Sequence, residues 1–154
     1  PAMLVARLNA VSAPGVSFTS GRWMEKGATP LAKAAVGTEA TVRFIPETPN
    51  LDEIHAALEQ GIDRYESEKT LPIGRAARKG KPAKTLEAAD FIEHLELDSE
   101  DGSPVLRLKL SSENGKSVRP EEVIQALAKP YALDPVYLDV SRDRLILREE
   151  GVSV

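Results

Sequence analysis

From Asn114 to Leu147 the chain reads as a turn, a capped helix, a proline break and a strand, and few folds accommodate that succession. Asn114-Gly115 is a turn dipeptide. Pro120 suits the first helical position, where a missing N–H costs nothing, and Glu121 and Glu122 complement the positive end of the helix dipole. Val123, Ile124 and Leu127 give that helix one apolar face, Gln125 is expected to contribute little, Lys129 sits in the last turn, and Pro130 cannot continue the helix. Beyond Asp134-Pro135 the alternation of Val136, Leu138 and Val140 with Tyr137, Asp139 and Ser141 predicts a half-buried strand. Ahead of the turn, Leu106, Leu108 and Leu110 alternate with Arg107 and Lys109 as the clearest strand of the chain. Strand, turn, helix, strand is a piece of an α+β sandwich.

The rest of the chain is read around that unit. At 154 residues it suffices for one domain, which would bury roughly 68–70% of the surface its unfolded form exposes. The expectation is a single α+β domain over 1–148 with a frayed tail over 149–154. Met3, Leu4, Leu8 and Val11 fall at helical spacing before Ala13-Pro14-Gly15, and a strand is expected around Val16 to Phe18, with Trp23 and Met24 continuing it. Thr29-Pro30 starts a short helix through Val36, which Gly37 would stop, and Ala40 to Ile45 is a strand closed by Pro46 and Pro49. Asn50 as N-cap, Glu53 in a capping box and the stripe Leu51, Ile54, Leu58 and Ile62 predict a second long helix. Tyr65 to Leu86 reads as two strands joined by a basic tip. One helical turn from Leu86 to Phe91, a strand from Ile92 to Leu97, a turn from Asp98 to Pro104 and a strand from Val105 to Leu110 complete the order.

Composition excludes several chemistries. Without cysteine there is no disulfide, thiolate metal site or ordinary iron–sulfur ligation, and no cofactor is expected. The charge count is 20 Lys and Arg against 24 Asp and Glu, net -4, so nucleic-acid binding would need a local basic patch. No apolar run approaches the ~20 residues of a membrane span, and no signal peptide opens the chain. A soluble, cytosolic protein is expected, and because Pro1 is not an initiator and leads straight into helical pattern, a fragment of a longer polypeptide. His55 and His94 are the only histidines, with no second ligand at helical spacing, and no metal site is proposed. The acids Glu87, Asp90, Glu93, Glu96, Asp98, Glu100 and Asp101 form either a solvated face or, if two on one strand raise one another's pKa, an acid and base pair. No nucleophile elbow or phosphate loop accompanies them, so no catalytic residue is assigned.

Arg75, Arg78, Lys79, Lys81 and Lys84 stand out, because no acid lies among them and Gly74, Gly80 and Pro82 make the segment a loop. Five cations on a loop can bind phosphates, each contact adding salt-dependent, sequence-independent affinity. They can equally be a solubilising tip that protects an edge strand. The segment lacks the interleaved aromatic residues that stack on single-stranded bases.

Leu8-Asn9-Ala10 leading to Ala13-Pro14-Gly15-Val16, then Arg78-Lys79-Gly80-Lys81, Leu95-Glu96-Leu97, and Asn114-Gly115 followed by Arg119-Pro120-Glu121-Glu122-Val123 occur in an order and spacing that resemble the radical SAM-linked protein family, a domain found beside or fused to a radical SAM enzyme. The family's N-terminal His-Leu-Asp and Gly-Phe segments do not occur here, so the resemblance implies its C-terminal portion. The passage of helix, Leu-Asn, Pro-Gly and strand is also similar to one in the tRNA pseudouridine synthase family, whose halves are ferredoxin-like sandwiches. That family's Arg-Thr-Asp motif is missing, so pseudouridine formation is not carried over. Together the resemblances imply a ferredoxin-like α+β sandwich, a mainly antiparallel sheet with two or three helices on one face. They imply a non-catalytic accessory domain for a radical SAM partner that holds an RNA substrate through the five basic residues. The alternative is a protein-docking module that touches no nucleic acid.

Overall fold

The computed structural model describes residues 1–14, 16–21, 23, 26–29, 31–77, 82–113, 116–129 and 131–148. The expected Asn114-Gly115 turn, the Pro130 break and the tail over 149–154 lie outside them. The chain divides into two compact units, Pro1–Pro30 and Leu31–Val154.

In the first unit, helix α1 (Ala2–Val11) buries no residue. The strand expected at Val16 to Phe18 does not form; the segment is irregular. Its order comes from one side chain, because the Asn9 amide donates to the Phe18 carbonyl at 2.8 Å and its Oδ1 accepts the Phe18 N–H at 2.6 Å, as a neighbouring strand would. The helix face that carries Ala2, Val5, Ala6 and Asn9 turns toward Phe18–Gly21. Met3 and Val11, on the other side, are 75% and 82% exposed, and Trp23 is 73% exposed.

The second unit is an α+β sandwich. After the short α2 (Leu31–Ala34) come β1 (Ala35–Phe44), α3 (Leu51–Glu68), the hairpin β2 (Pro72–Arg75) and β3 (Lys84–Glu87), then β4 (Ile92–Glu100), β5 (Ser103–Glu113), β6 (Lys116–Ser117), α4 (Pro120–Leu127) and β7 (Leu138–Leu147). The main sheet has the order β4-β5-β1-β7 with every pairing antiparallel, and β6 adds to β5. Strand, helix, two strands, helix, strand in that order is the ferredoxin-like arrangement. Val42 and Phe44 of β1, Leu106, Leu108 and Leu110 of β5, and Leu138 and Val140 of β7 meet Ile54 and Leu58 of α3 and Val123, Ile124 and Leu127 of α4 in one core.

Several boundaries differ from expectation. Gly37 does not stop a helix; it lies inside β1, where an added Cβ would fall 2.6 Å from the Leu110 carbonyl oxygen, so its role is close strand approach. Asn50 precedes α3 but makes no side-chain cap hydrogen bond; it adopts a left-handed conformation with φ 55°, which Asn tolerates. Tyr65 belongs to α3, not to a strand. The β4–β5 connection tightens to Asp101 and Gly102, both at positive φ, as a two-residue hairpin requires. Pro135–Tyr137 is a 3-10 turn rather than strand, because the Asp134 carboxylate accepts the Val136 N–H at 3.0 Å, and Val136 is left exposed.

Candidate nucleic-acid interface

The β2–β3 hairpin pairs Arg75 with Lys84 at its far end, and Leu71, Ile73 and Leu86 at its root pack on the core. Arg78, Lys79 and Lys81 lie outside the described residues. Arg75 is a strut of the fold. Its Nε and Nη2 donate to the two Glu122 carboxylate oxygens at 2.9 and 2.6 Å, and Nη2 also donates to the Ser117 carbonyl at 2.6 Å. Such a two-pronged pair fixes direction as well as distance. Glu122 Oε2 also accepts the Arg119 N–H at 2.9 Å and so caps α4. Burial pushes the Glu122 carboxyl up, but the Arg75 fork and the Arg119 N–H outweigh it and hold the group below its ordinary range. The same contact raises the Arg75 guanidinium. The hairpin is thereby tied to the start of α4. Lys84 is exposed and forms no ion pair among the described residues.

Beside that tie runs a groove of about 220 Å³, between the first residues of β1, the end of β5, the start of α4 and β7. Arg119 and Arg142 line it together with Thr38, Ser111, Ser112 and Ser117, and among the described residues no acid lines it. Among the described residues neither arginine forms an ion pair. These two arginines were not singled out from sequence. Arg142 carried a signal, because it continues the core-facing alternation of Leu138 and Val140 and pairs with the buried Ala40. An arginine on the apolar face of a strand marks the place where that face opens to a cleft. Arg119 carried none beyond its place ahead of Pro120.

The other face of the sheet is chemically different. Glu100 accepts from Arg43 Nε at 3.0 Å and from Arg107 Nη2 at 2.6 Å, Asp98 stands 3.6 Å from Arg107, and Glu93 pairs with Lys109 at 2.8 Å. The hydrogen bond from Arg43 leads the effects that hold the Glu100 carboxyl below its ordinary range. Glu93, Asp98 and Glu100 of β4 are therefore paired with cations and form no carboxylate pair. Thr41 donates to Asp143 at 2.6 Å on this face. The outward positions of β1 and β5 are Glu39, Thr41, Arg43, Val105, Arg107 and Lys109, with no ring for a base to stack on. His94 stands 3.6 Å from Glu96, and His55 lies on α3 at 4.0 Å from Glu59. Among the described residues no group of three His, Cys, Asp or Glu comes together, and no helix is long and apolar enough to cross a membrane.

Comparison with protein-family models, with curated proteins and with solved structures returned no match to this chain.

Proposed function

We propose that this chain is a non-catalytic accessory domain that works beside a radical SAM enzyme and holds an RNA substrate by its phosphate backbone. The resemblance of the Arg78–Lys81 and Asn114–Val123 segments to the radical SAM-linked family supplies the partner. The observation that carries the RNA reading is the groove whose described lining holds no acid and that places Arg119 and Arg142 next to Arg75 at the far end of the basic hairpin. Phosphate contacts need cations not held in ion pairs with protein carboxylates, and Arg119, Arg142 and Lys84 form no ion pair among the described residues. Titration of a structured RNA at several salt concentrations tests it. Replacing Arg119 and Arg142 together by Ala should flatten the dependence of log K on log salt by about 1.5, close to two contacts' worth. Identical slopes in wild type and the double variant would remove the groove from the RNA reading.

The docking alternative is favoured by α1, whose Met3, Leu4 and Val11 are exposed on the side away from Phe18. An apolar stripe of that kind suits a protein partner. Under that reading Leu4→Glu would abolish capture of the radical SAM protein, and replacing Arg119 and Arg142 by Ala would leave weak RNA binding unchanged.

A further inference from the structure

At the other end of β1 the sandwich holds a partly open chamber of about 130 Å³. Two of the chain's three tyrosines, Tyr131 and Tyr137, and one of its three phenylalanines, Phe44, line it together with Ile54, Leu133 and Asp134. No cation lines it. From this concentration of rings around an acidic mouth we infer an aromatic cage for an organic ammonium head, with a methylated ammonium as the best fit.

The rings attract a cation through their negative faces, and the attraction grows where water is excluded. One carboxylate in the lining reinforces it: Asp134 uses Oδ1 to accept the Val136 N–H at 3.0 Å and keeps its second oxygen. Outside the lining, Glu53 accepts the Tyr131 hydroxyl at 3.2 Å and so orients that ring. The walls are held in place before any ligand arrives. The Gln125 amide donates to the Tyr131 carbonyl and accepts the Leu133 N–H, both at 2.8 Å, and the Ile45 N–H donates to the Tyr137 carbonyl at 3.1 Å. A cavity of about 150 Å³ holds one benzene, so this chamber has room for a single trimethylammonium head. An anion would meet Asp134, and an uncharged group of the same shape would forgo the attraction of the rings.

Calorimetric and NMR titrations with choline, with a peptide bearing trimethyllysine and with 3,3-dimethylbutan-1-ol, the uncharged analogue of choline, test the inference. At least one of the two cations should bind one-to-one, about tenfold or more tighter than the alcohol. Tighter binding of the peptide would identify a modified protein as the source, and tighter binding of choline a free quaternary amine. Tyr137→Leu should weaken the cation about tenfold. Because that change could loosen the fold, Asp134→Asn serves as the second variant, since it keeps an oxygen for the Val136 N–H and removes only charge; it too should weaken the cation and leave the alcohol unaffected. Saturation by neither cation, equal binding of cation and alcohol, or wild-type cation affinity in folded Asp134→Asn would each overturn it.

Discussion

At Gly61 a Cβ would lie 2.1 Å from the Leu127 carbonyl oxygen, which makes this residue the point where α3 and α4 touch backbone to backbone. Any side chain there must push the helices apart and open the core around Leu58 and Leu127. Gly61→Ala should therefore cost about 2 kcal/mol or more, even though alanine favours a helix by about 1 kcal/mol. Gly74→Ala is the control, since nothing lies within 4 Å of its added Cβ, and its urea midpoint should match wild type. Equal losses at both positions would refute the contact. Glu122 gives a second residue-scale prediction. Its carboxyl is held low in the folded state, so its contribution is complete above the ordinary carboxylate pKa and disappears as pH falls through the folded value. The stability gap between wild type and Glu122→Gln should be widest near neutral pH and narrow as pH falls below the ordinary carboxylate range of about 4. A gap that stays constant from neutral to acid pH would mean that the Arg75 fork is not what lowers the group.

Helix α4 shows what local pattern reveals about an element and what it hides. Val123, Ile124 and Leu127 are fully buried, as their spacing predicts. Leu127→Ala should cost about 2–5 kcal/mol. The expectation for Gln125 needs correction, because its amide spans the α4–β7 loop through the Tyr131 carbonyl and the Leu133 N–H. Gln125→Ala should cost about 1–3 kcal/mol by leaving those groups unpaired. Denaturant melts of the two variants check both values. Nothing in a period of 3.6 residues reports a hydrogen bond made to the next loop. The long helix α3 was legible from Leu51, Ile54 and Leu58, yet its start at Asn50 uses backbone conformation instead of the side-chain cap that the Asn50-to-Glu53 spacing suggests. The short helix expected through Val36 ends at Ala34, and β1 starts at Ala35 rather than at Ala40, because pairing with β7 draws the residues just before Gly37 into the sheet. At the candidate interface, Arg75 was legible as a cation but not as a strut, because Glu122 lies far along the chain.

At the scale of the whole molecule, the central alternation and the order of helices and strands sufficed for the α+β class, since an antiparallel sheet with one apolar face must be covered by helices. The groove was not legible, because it is assembled from β1, β5, α4 and β7, and only the sheet register places Arg142 beside Arg119. The distribution of burial leads to a further test. Every residue of the hydrophobic core cluster lies between Val42 and Val140, and no described residue of the first unit is buried. Cooperative unfolding follows the core, so stability should reside in the second unit. A chain reduced to 31–154 should keep the urea midpoint of the full chain. Its slope should fall by no more than the surface of the removed residues accounts for, because the slope scales with area exposed on unfolding. A truncated chain that melts early, or without cooperativity, would show that the first thirty residues contribute to the core of the sandwich.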